Sequence, residues 1–154
     1  MAAVGDFEEF AERVRPRLHR AFVSSRGVDG AADAAAEALA YAWEHWERLA
    51  AMENPVGYLF RVGQSRTRRW SRRAATPLLP APVDVGVPDV EPELVLALRG
   101  LVETQRTAVW LVHACGWSYR ETAEAMGVSV SAVGTHVTRA LERLRSRLEV
   151  RSDA

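Results

Sequence analysis

The sequence predicts an all-α protein built from two small helical domains that are joined by a proline-rich linker. Three observations in the 154-residue chain support this fold class. Apolar residues recur three and four positions apart in two long blocks, which is the spacing of helices with one buried face. The segment between the blocks contains five prolines and has no helical period. No stretch alternates apolar and polar residues convincingly enough to predict a strand.

The N-terminal domain is predicted to span residues 6–73 and to contain three helices. The segment 26–30, Arg-Gly-Val-Asp-Gly, is expected to end the first helix because glycine favours turns. The second helix is then expected to cover about 31–50. Asn54 and Pro55 start the third helix, since asparagine caps helices well and proline fits the first helical position. The apolar face of the first helix is predicted to contain Phe7, Phe10, Val14, Leu18 and Phe22.

The predicted linker, residues 74–92, is acidic as well as rich in proline. Residues 51–76 carry six arginines and one acid, whereas residues 77–93 carry four acids and no arginine. The formal net charge of zero therefore hides a concentrated basic segment followed by an acidic one. From its composition alone, the linker is a spacer.

The C-terminal domain, residues 93–150, contains the pattern of a helix-turn-helix. Ser118 and Glu121 have the spacing of a capping box, so a helix is expected to begin there. That helix is expected to stop at Gly127, where the turn needs a positive φ. Ser129 is expected to cap the final helix. The residues predicted to fix the crossing of the two helices are Val128, Val133 and Val137.

The outer face of the final helix has the chemistry of a DNA-recognition surface. Polar and basic groups on such a helix can reach base edges and phosphates in a major groove. An ordinary helical hairpin is the alternative, but the full spacing, the two caps and the arginines that follow favour DNA binding. The residues on this face are Ser131, Gly134, Thr135, His136, Thr138 and Arg139.

The third helix carries two series of arginines at helical spacings. The first consists of Arg66, Arg69 and Arg73, and the second of Arg61, Arg68 and Arg72. They are predicted to contact phosphates, with Trp70 and Tyr58 available to stack on an unpaired base. A solvated basic face is the alternative, although Glu53 is the only acid nearby in the sequence.

The remaining tryptophans have more ordinary interpretations. Trp43 is predicted to be a core residue, whereas Trp46 could belong to the core or bind a partner. Trp110 and Trp117 are predicted to pack within the second domain.

Composition argues against an enzyme, a metal site or a cofactor. The four histidines are scattered, the single cysteine cannot complete a cluster, and no phosphate-binding loop is present. Cys115 is expected to be a buried core thiol. No stretch is long and apolar enough for a membrane span, and the N-terminus lacks the pattern of a signal peptide, so a cytoplasmic protein is expected.

The C-terminal block resembles region 4 of the extracytoplasmic-function (ECF) type of bacterial RNA polymerase sigma factor. The resemblance lies in VETQRTAVWLV (102–112), GWSYRETAEAMGVS (116–129) and RALERLR (139–145). It implies that this domain binds the −35 promoter element and contacts the flap of the polymerase β subunit. By the same resemblance, recognition falls on Gly134, Thr135, His136 and Arg139.

The N-terminal block resembles region 2 of the same family. DAAAEALAYAW (33–43) is similar to the helix that docks on the clamp helices of the β′ subunit, which implies polymerase contacts by Asp33, Glu37 and Tyr41. NPVGYLFRVG (54–63) and the arginine-rich RTRRWSRR (66–73) are similar to the segment that opens and recognises the −10 element. The implied −10 residues are Asn54, Tyr58, Arg61, Arg66, Arg69, Trp70 and Arg73.

Some positions depart from the usual pattern of the family. Ala34, Ala35 and Ala36 replace larger apolar and amide side chains of the docking helix. Gly134 and His136 stand where the recognition helix usually carries basic residues, which implies a weaker grip or an unusual promoter sequence.

These features together predict a sigma factor that binds core RNA polymerase and promoter DNA and directs transcription initiation. The resemblance also leaves room for an anti-sigma factor as a partner, and it implies that the acidic linker occupies a nucleic-acid channel in the polymerase. Two other functions stay open on the residues alone. They are a helix-turn-helix regulator that binds duplex DNA without the polymerase and a helical protein-interaction module.

Overall fold

A computed structural model describes residues 4–73 and 91–152, and every regular element in those ranges is helical. The all-α fold class is therefore confirmed. The predicted linker lies outside the described residues except for its last two positions. The helices are α1 (Val4–Glu44), α2 (Trp46–Ala50), α3 (Pro55–Arg73), α4 (Pro92–Arg99), α5 (Glu103–Val109), α6 (Tyr119–Met126) and α7 (Val130–Ser152), and a π-helical turn (Trp110–Ala114) continues α5.

A single residue bends α1. Gly27 has φ 72° and ψ 176°, a conformation that side chains with a Cβ rarely adopt. The helix resumes directly after it, so the predicted break at 26–30 is a kink and not a loop. Glycine is the residue type that adopts this conformation at little cost, which explains why the kink falls at Gly27.

The second half of α1 ends earlier than the sequence predicts. The helix stops at Glu44, His45 adopts φ −120° and ψ 30°, and the short α2 follows. The change of direction at His45 accompanies the complete burial of Leu49, which packs in the core of this block. Tertiary packing thus overrides the uninterrupted helical propensity of the sequence.

The N-terminal block is held together by packing between α1 and α3. The rings of Phe22 and Phe60 stack with their centroids 4.7 Å apart. Gly63 of α3 lies where a Cβ would collide with the Phe22 ring and lie 3.1 Å from the carbonyl oxygen of Ala34. Ala34 and its neighbour Ala35 are buried, so small side chains on α1 allow the close approach of α3.

The C-terminal block packs α7 against three shorter helices. Ala140 and Leu144 form a cluster with α4 and the end of α5. Val133 and Val137, on the preceding turns of α7, pack against Ala123 of α6. The predicted inward positions of these two valines are confirmed, and Val128 is partly buried beside them.

The two blocks pack against each other through α3 and α6, and they share the largest apolar cluster. Trp110 donates a hydrogen bond from Nε1 to the carbonyl oxygen of Arg20 at 3.0 Å. The Trp117 ring meets Phe60 edge-on, with the centroids 5.8 Å apart. The sequence predicted that both tryptophans pack within the second domain, and the structure instead places them in the core shared with the first block.

Three further contacts tie the blocks together. Arg17 forms an ion pair with Glu121, with Nη2 and Oε2 2.6 Å apart, and its guanidinium lies 5.4 Å from the centroid of Trp117. Gly57 of α3 approaches α6 so closely that a Cβ would lie 2.5 Å from the carbonyl oxygen of Glu121. Within the described ranges, none of the helices has the length and hydropathy needed to cross a membrane.

Candidate nucleic-acid interface

The turn between α6 and α7 has the geometry that its sequence predicts. The Ser118 hydroxyl accepts a hydrogen bond from the Glu121 N–H at 3.0 Å, and the Glu121 carboxylate accepts one from the Ser118 N–H at 3.3 Å. Gly127 ends α6 in the left-handed conformation, with φ 67°. Ser129 accepts from the N–H of Ala132 at 3.1 Å and so caps α7. Local hydrogen bonds therefore define the starts of α6 and α7, and the left-handed Gly127 ends α6 at the turn.

The predicted recognition residues divide into a centre and two edges. Ser131, Thr135, Thr138 and Arg139 are exposed, and their spacings place them on one side of α7, opposite the buried valines. Gly134 and His136 are half-buried and flank this face. The structure thus brings four of the six residues together on an open surface.

An aromatic residue outside the predicted set lies beside this face. Tyr119, the first residue of α6, is 41% exposed. A Cβ at Gly134 would lie 3.7 Å from Cε2 of Tyr119, so the ring covers the position where Gly134 lacks a side chain. Its sequence signal was an aromatic residue directly after a helix cap.

The two arginine series on α3 face different neighbours. Arg61 and Arg68 point to the cleft between α3 and the C-terminal block, and Arg61 approaches the turn at Gly127. Arg66 points instead to α1, where its Nη1 lies 3.7 Å from Oε2 of Glu37. The predicted side-chain roles of Arg69, Trp70, Arg72 and Arg73 lie outside the residues whose side chains are described.

The cleft between the blocks has a volume of about 710 Å³ and is rich in guanidinium groups. Arg26 is fixed in its wall by hydrogen bonds to the Thr67 hydroxyl and the carbonyl oxygen of Gln64, both at 3.1 Å. Burial lowers the pKa of Arg26, and the carboxylate of Glu103 acts in the opposite direction. The described residues that line the cleft are Arg26, Phe60, Arg61, Gln64, Ser65, Arg68, Glu103, Thr104, Thr107, Ala125 and Met126.

Residues predicted for two different partners meet beside the N-terminal part of α3. The hydroxyl of Tyr41, implicated in polymerase binding, lies 3.1 Å from that of Tyr58, implicated in −10 binding. Arg48 of α2 donates a hydrogen bond to each of the two hydroxyls. Its Nη2 lies 3.1 Å from the hydroxyl oxygen of Tyr58. The hydrogen bond with Tyr58 raises the pKa of the Tyr41 hydroxyl.

Arg48 was not among the residues predicted for the site. It lies seven residues after Tyr41, a spacing that places residues on one helical face, but the chain turns at His45 between them. The contact of Arg48 with Tyr58 depends on the packing of α2 and α3, for which the sequence contains no periodic signal.

Other predicted residues near this cluster are accessible. Asp33 is exposed and Glu37 is half-buried on the same side of α1. Asn54 directly precedes α3 and is half-buried.

Trp43 is 51% exposed, so its prediction as a core residue is wrong. The aromatic neighbour closest to its ring is Phe7, at 5.1 Å between the centroids.

The described residues contain no group of three or more side chains arranged to hold a metal ion. Cys115 is partly buried against the shared core, and burial raises its pKa to about 12. A thiol with such a pKa carries almost no thiolate at neutral pH, which fits the predicted structural role.

The comparisons with known proteins agree with this geometry. A model described as "Sigma-70, region 4" matches residues 92–144. The chain is 35% identical to an RNA polymerase sigma-E factor from Streptomyces antibioticus over 97% of its own length and 89% of that protein. It is 34% identical to an RNA polymerase sigma-E factor from Streptomyces coelicolor, over 96% of the chain and 90% of that protein.

Solved structures share the fold. The sigma factor RpoE, in complex with the anti-sigma factor NepR from Bartonella quintana, superposes with a TM-score of 0.75 and 27% identity over 96% of this chain and 99% of that one. CnrH, in complex with the cytosolic domain of CnrY, superposes with a TM-score of 0.65 and 22% identity over 97% and 91%. Since full-length relatives, the region 4 match and the helix-turn-helix geometry coincide, the chain belongs to the RNA polymerase sigma factors of the ECF type.

Proposed function

We propose that this chain binds core RNA polymerase and directs transcription initiation at specific promoters. The observation that carries the proposal is the exposed polar face of α7, held beside a capped α6 in a chain related to sigma-E factors along nearly its whole length. The mechanism is binding in the cytoplasm, with no chemical step by this chain and no cofactor.

We propose that two units, residues 6–73 and 93–150, contact different promoter elements and that residues 74–92 connect them. The C-terminal unit contacts the −35 element, with Arg139 on phosphate or base edges and the smaller polar groups around it. The N-terminal unit contacts the −10 element. Exposure of the recognition face and the basic character of α3 support this division. The −35 residues are Ser131, Gly134, Thr135, His136, Thr138 and Arg139, and the −10 residues are Asn54, Tyr58, Arg61, Arg66, Arg69, Trp70 and Arg73.

Polymerase contact is proposed for the side of α1 that carries Asp33, Glu37 and Tyr41. Carboxylates on this side can pair with basic residues of the β′ clamp helices, and the β flap contacts the C-terminal unit. An anti-sigma factor is a further proposed partner, since the related RpoE was solved with one.

Reconstitution is the direct test of this function. The purified chain is expected to co-elute with bacterial core RNA polymerase and to start transcription at promoters identified by mapping transcripts after overexpression. A chain that binds duplex DNA but never associates with the core enzyme would contradict the proposal and favour a regulator that acts alone.

Arg139→Ala tests the proposed recognition face. Loss of its charge-assisted contact is expected to weaken binding to the mapped −35 duplex by about 1–2 kcal/mol, roughly tenfold. The thermal midpoint should change little because Arg139 is exposed. Arg99→Ala, an exposed arginine on α4, is the matched control and should bind normally. A large loss of stability with unchanged affinity would show that Arg139 is structural.

A further inference from the structure

Four side chains from three helices form one connected group beside the start of α3. Arg48 lies with its guanidinium carbon 5.9 Å from the ring centroid of Tyr41 and 5.6 Å from that of Tyr58. The guanidinium carbon of Arg66 also lies close to Tyr41, 5.0 Å from its ring centroid. We call Tyr41, Arg48, Tyr58 and Arg66 the Tyr-Arg platform.

The platform lies at the surface. Arg48 is exposed, the Arg66 side chain is 42% exposed, and both tyrosines are half-buried. The two hydrogen bonds of Arg48 leave from the same nitrogen, Nη2. A guanidinium has five N–H donors in a rigid fork, so Arg48 can hold both tyrosines and still donate to an incoming oxygen.

The tyrosine rings and guanidinium groups of the platform together favour a single-stranded nucleic acid as the ligand. Aromatic rings next to guanidinium groups bind single-stranded nucleic acid, because unpaired bases stack on rings while arginines take the phosphates. A duplex keeps its base faces stacked inside and cannot use the rings. Two members of the platform, Tyr58 and Arg66, lie in the segment 51–76, which carries six arginines and one acid.

We propose that Arg48 and Tyr41 join Tyr58 and Arg66 in binding an unpaired DNA strand at the −10 site. This inference rests on the proposed function and extends its −10 site to α1 and α2. Arg48 has two tasks in it. It contacts a phosphate of the strand, and it positions Tyr58 by bridging the two tyrosine hydroxyls. Tyr41, which the resemblance implicates in polymerase binding, acts here as the second anchor of Arg48.

Binding of a labelled single strand, (dT)12, to the free full-length chain tests the platform without the polymerase. Arg48→Ala is expected to weaken (dT)12 binding about fivefold and binding of a 12-base-pair duplex less than twofold, since only the single strand stacks. The dependence of log K on log salt should also fall by about 0.7, the contribution of one phosphate on a single strand. Fluorescence anisotropy at several salt concentrations measures both quantities.

Three companion variants separate the two tasks of Arg48. Arg48→Lys retains a charge and should restore the salt dependence, but it loses the bridging fork and should recover only part of the affinity. Tyr41→Phe removes one end of the bridge and should weaken (dT)12 binding about twofold with an unchanged salt dependence. Arg15→Ala, an exposed arginine on α1, is the charge-matched control and should leave both quantities near the wild-type values.

Different results would contradict the platform and the proposed function. Arg48→Ala binding that matches Arg15→Ala at every salt concentration would overturn the platform, as would a wild-type chain that does not bind (dT)12 at low salt. Failure of the wild-type chain to co-elute with the core enzyme would instead contradict the proposed function. Circular dichroism should show the same helical content and thermal midpoint for Arg48→Ala and the wild type, because the side chain is exposed.

Discussion

At the scale of single residues, Cys115 illustrates how position controls reactivity. The residue follows the π-helical turn and packs against the core that the two blocks share. Desolvation disfavours the thiolate there and raises its pKa to about 12, whereas Arg20 and Arg17 oppose that effect less strongly. The thiolate is the nucleophile in alkylation, so the folded environment protects this residue.

Native Cys115 is therefore expected to react with iodoacetamide at pH 8.5 at least tenfold more slowly than the same thiol in denaturant. Mass spectrometry of timed samples measures the difference. The folded state favours the protonated thiol because it raises the pKa of Cys115. The stability that the buried thiol contributes is therefore fully present below the unfolded pKa, near 9, and is lost as the pH rises from about 9 to 12. Equal alkylation rates in buffer and denaturant would show that the thiol is exposed.

At the scale of the elements, α7 combines a well-packed side with an unusual residue on its edge. Val133 and Ala140 are fully buried, which holds the helix against the rest of its block. Gly134 lies between them, on the edge next to Tyr119, and glycine lowers helix stability relative to alanine. The open recognition face thus lies on a helix that is stabilised by its packing and weakened locally at one position.

Gly134→Ala is expected to raise the free energy of unfolding by about 0.5–1 kcal/mol. The new Cβ would lie 3.7 Å from the Tyr119 ring, which is ordinary van der Waals contact. Urea unfolding followed by circular dichroism measures the change, and Gly5→Ala, where a Cβ would meet nothing within 4 Å, is the control at a helix start. A decrease in stability would mean that Tyr119 cannot tolerate a methyl group beneath its ring.

At the scale of the whole molecule, the arrangement of the two blocks bears on function. Positions −35 and −10 are about 25 base pairs apart, roughly 85 Å at about 3.4 Å per base pair. In the structure, α6 packs directly on α3, and the Arg61 guanidinium approaches Gly127 in the helix-turn-helix. Under the proposed assignment of α7 to the −35 element and α3 to the −10 element, contact with both elements at once requires α3 and α6 to separate and exposes the apolar surface around Trp117.

Gly57→Ala should promote this separation. Its Cβ would lie 2.5 Å from the carbonyl oxygen of Glu121 and 2.9 Å from Cβ of Glu124, and the backbone of α6 cannot yield cheaply. The variant is expected to lose about 1–3 kcal/mol of stability, or to open, with a larger radius of gyration. Small-angle X-ray scattering and urea unfolding distinguish the two results. Values equal to those of Gly5→Ala in both measurements would show that the interface accommodates the methyl group.

The helix-turn-helix could be predicted from the sequence because its signals are local. Capping hydrogen bonds at Ser118 and Ser129 and the positive φ of Gly127 depend on residues three or four positions apart. Apolar spacing then determined which side of α7 is buried. The helical fold class followed from the same short-range periodicity, and the region 4 resemblance rests on the same stretch of sequence.

Tertiary structure alone decided how distant segments meet. The turn at His45, the burial of Trp110 and Trp117 between the blocks and the exposure of Trp43 all depend on packing across long sequence separations. The meeting of Tyr41, Arg48 and Tyr58 has the same origin. The sequence by itself determined the helices and their chemical faces, because these arise from neighbouring residues. Which faces are covered and which side chains share a site depends on the three-dimensional path of the chain, because burial is a property of the whole molecule.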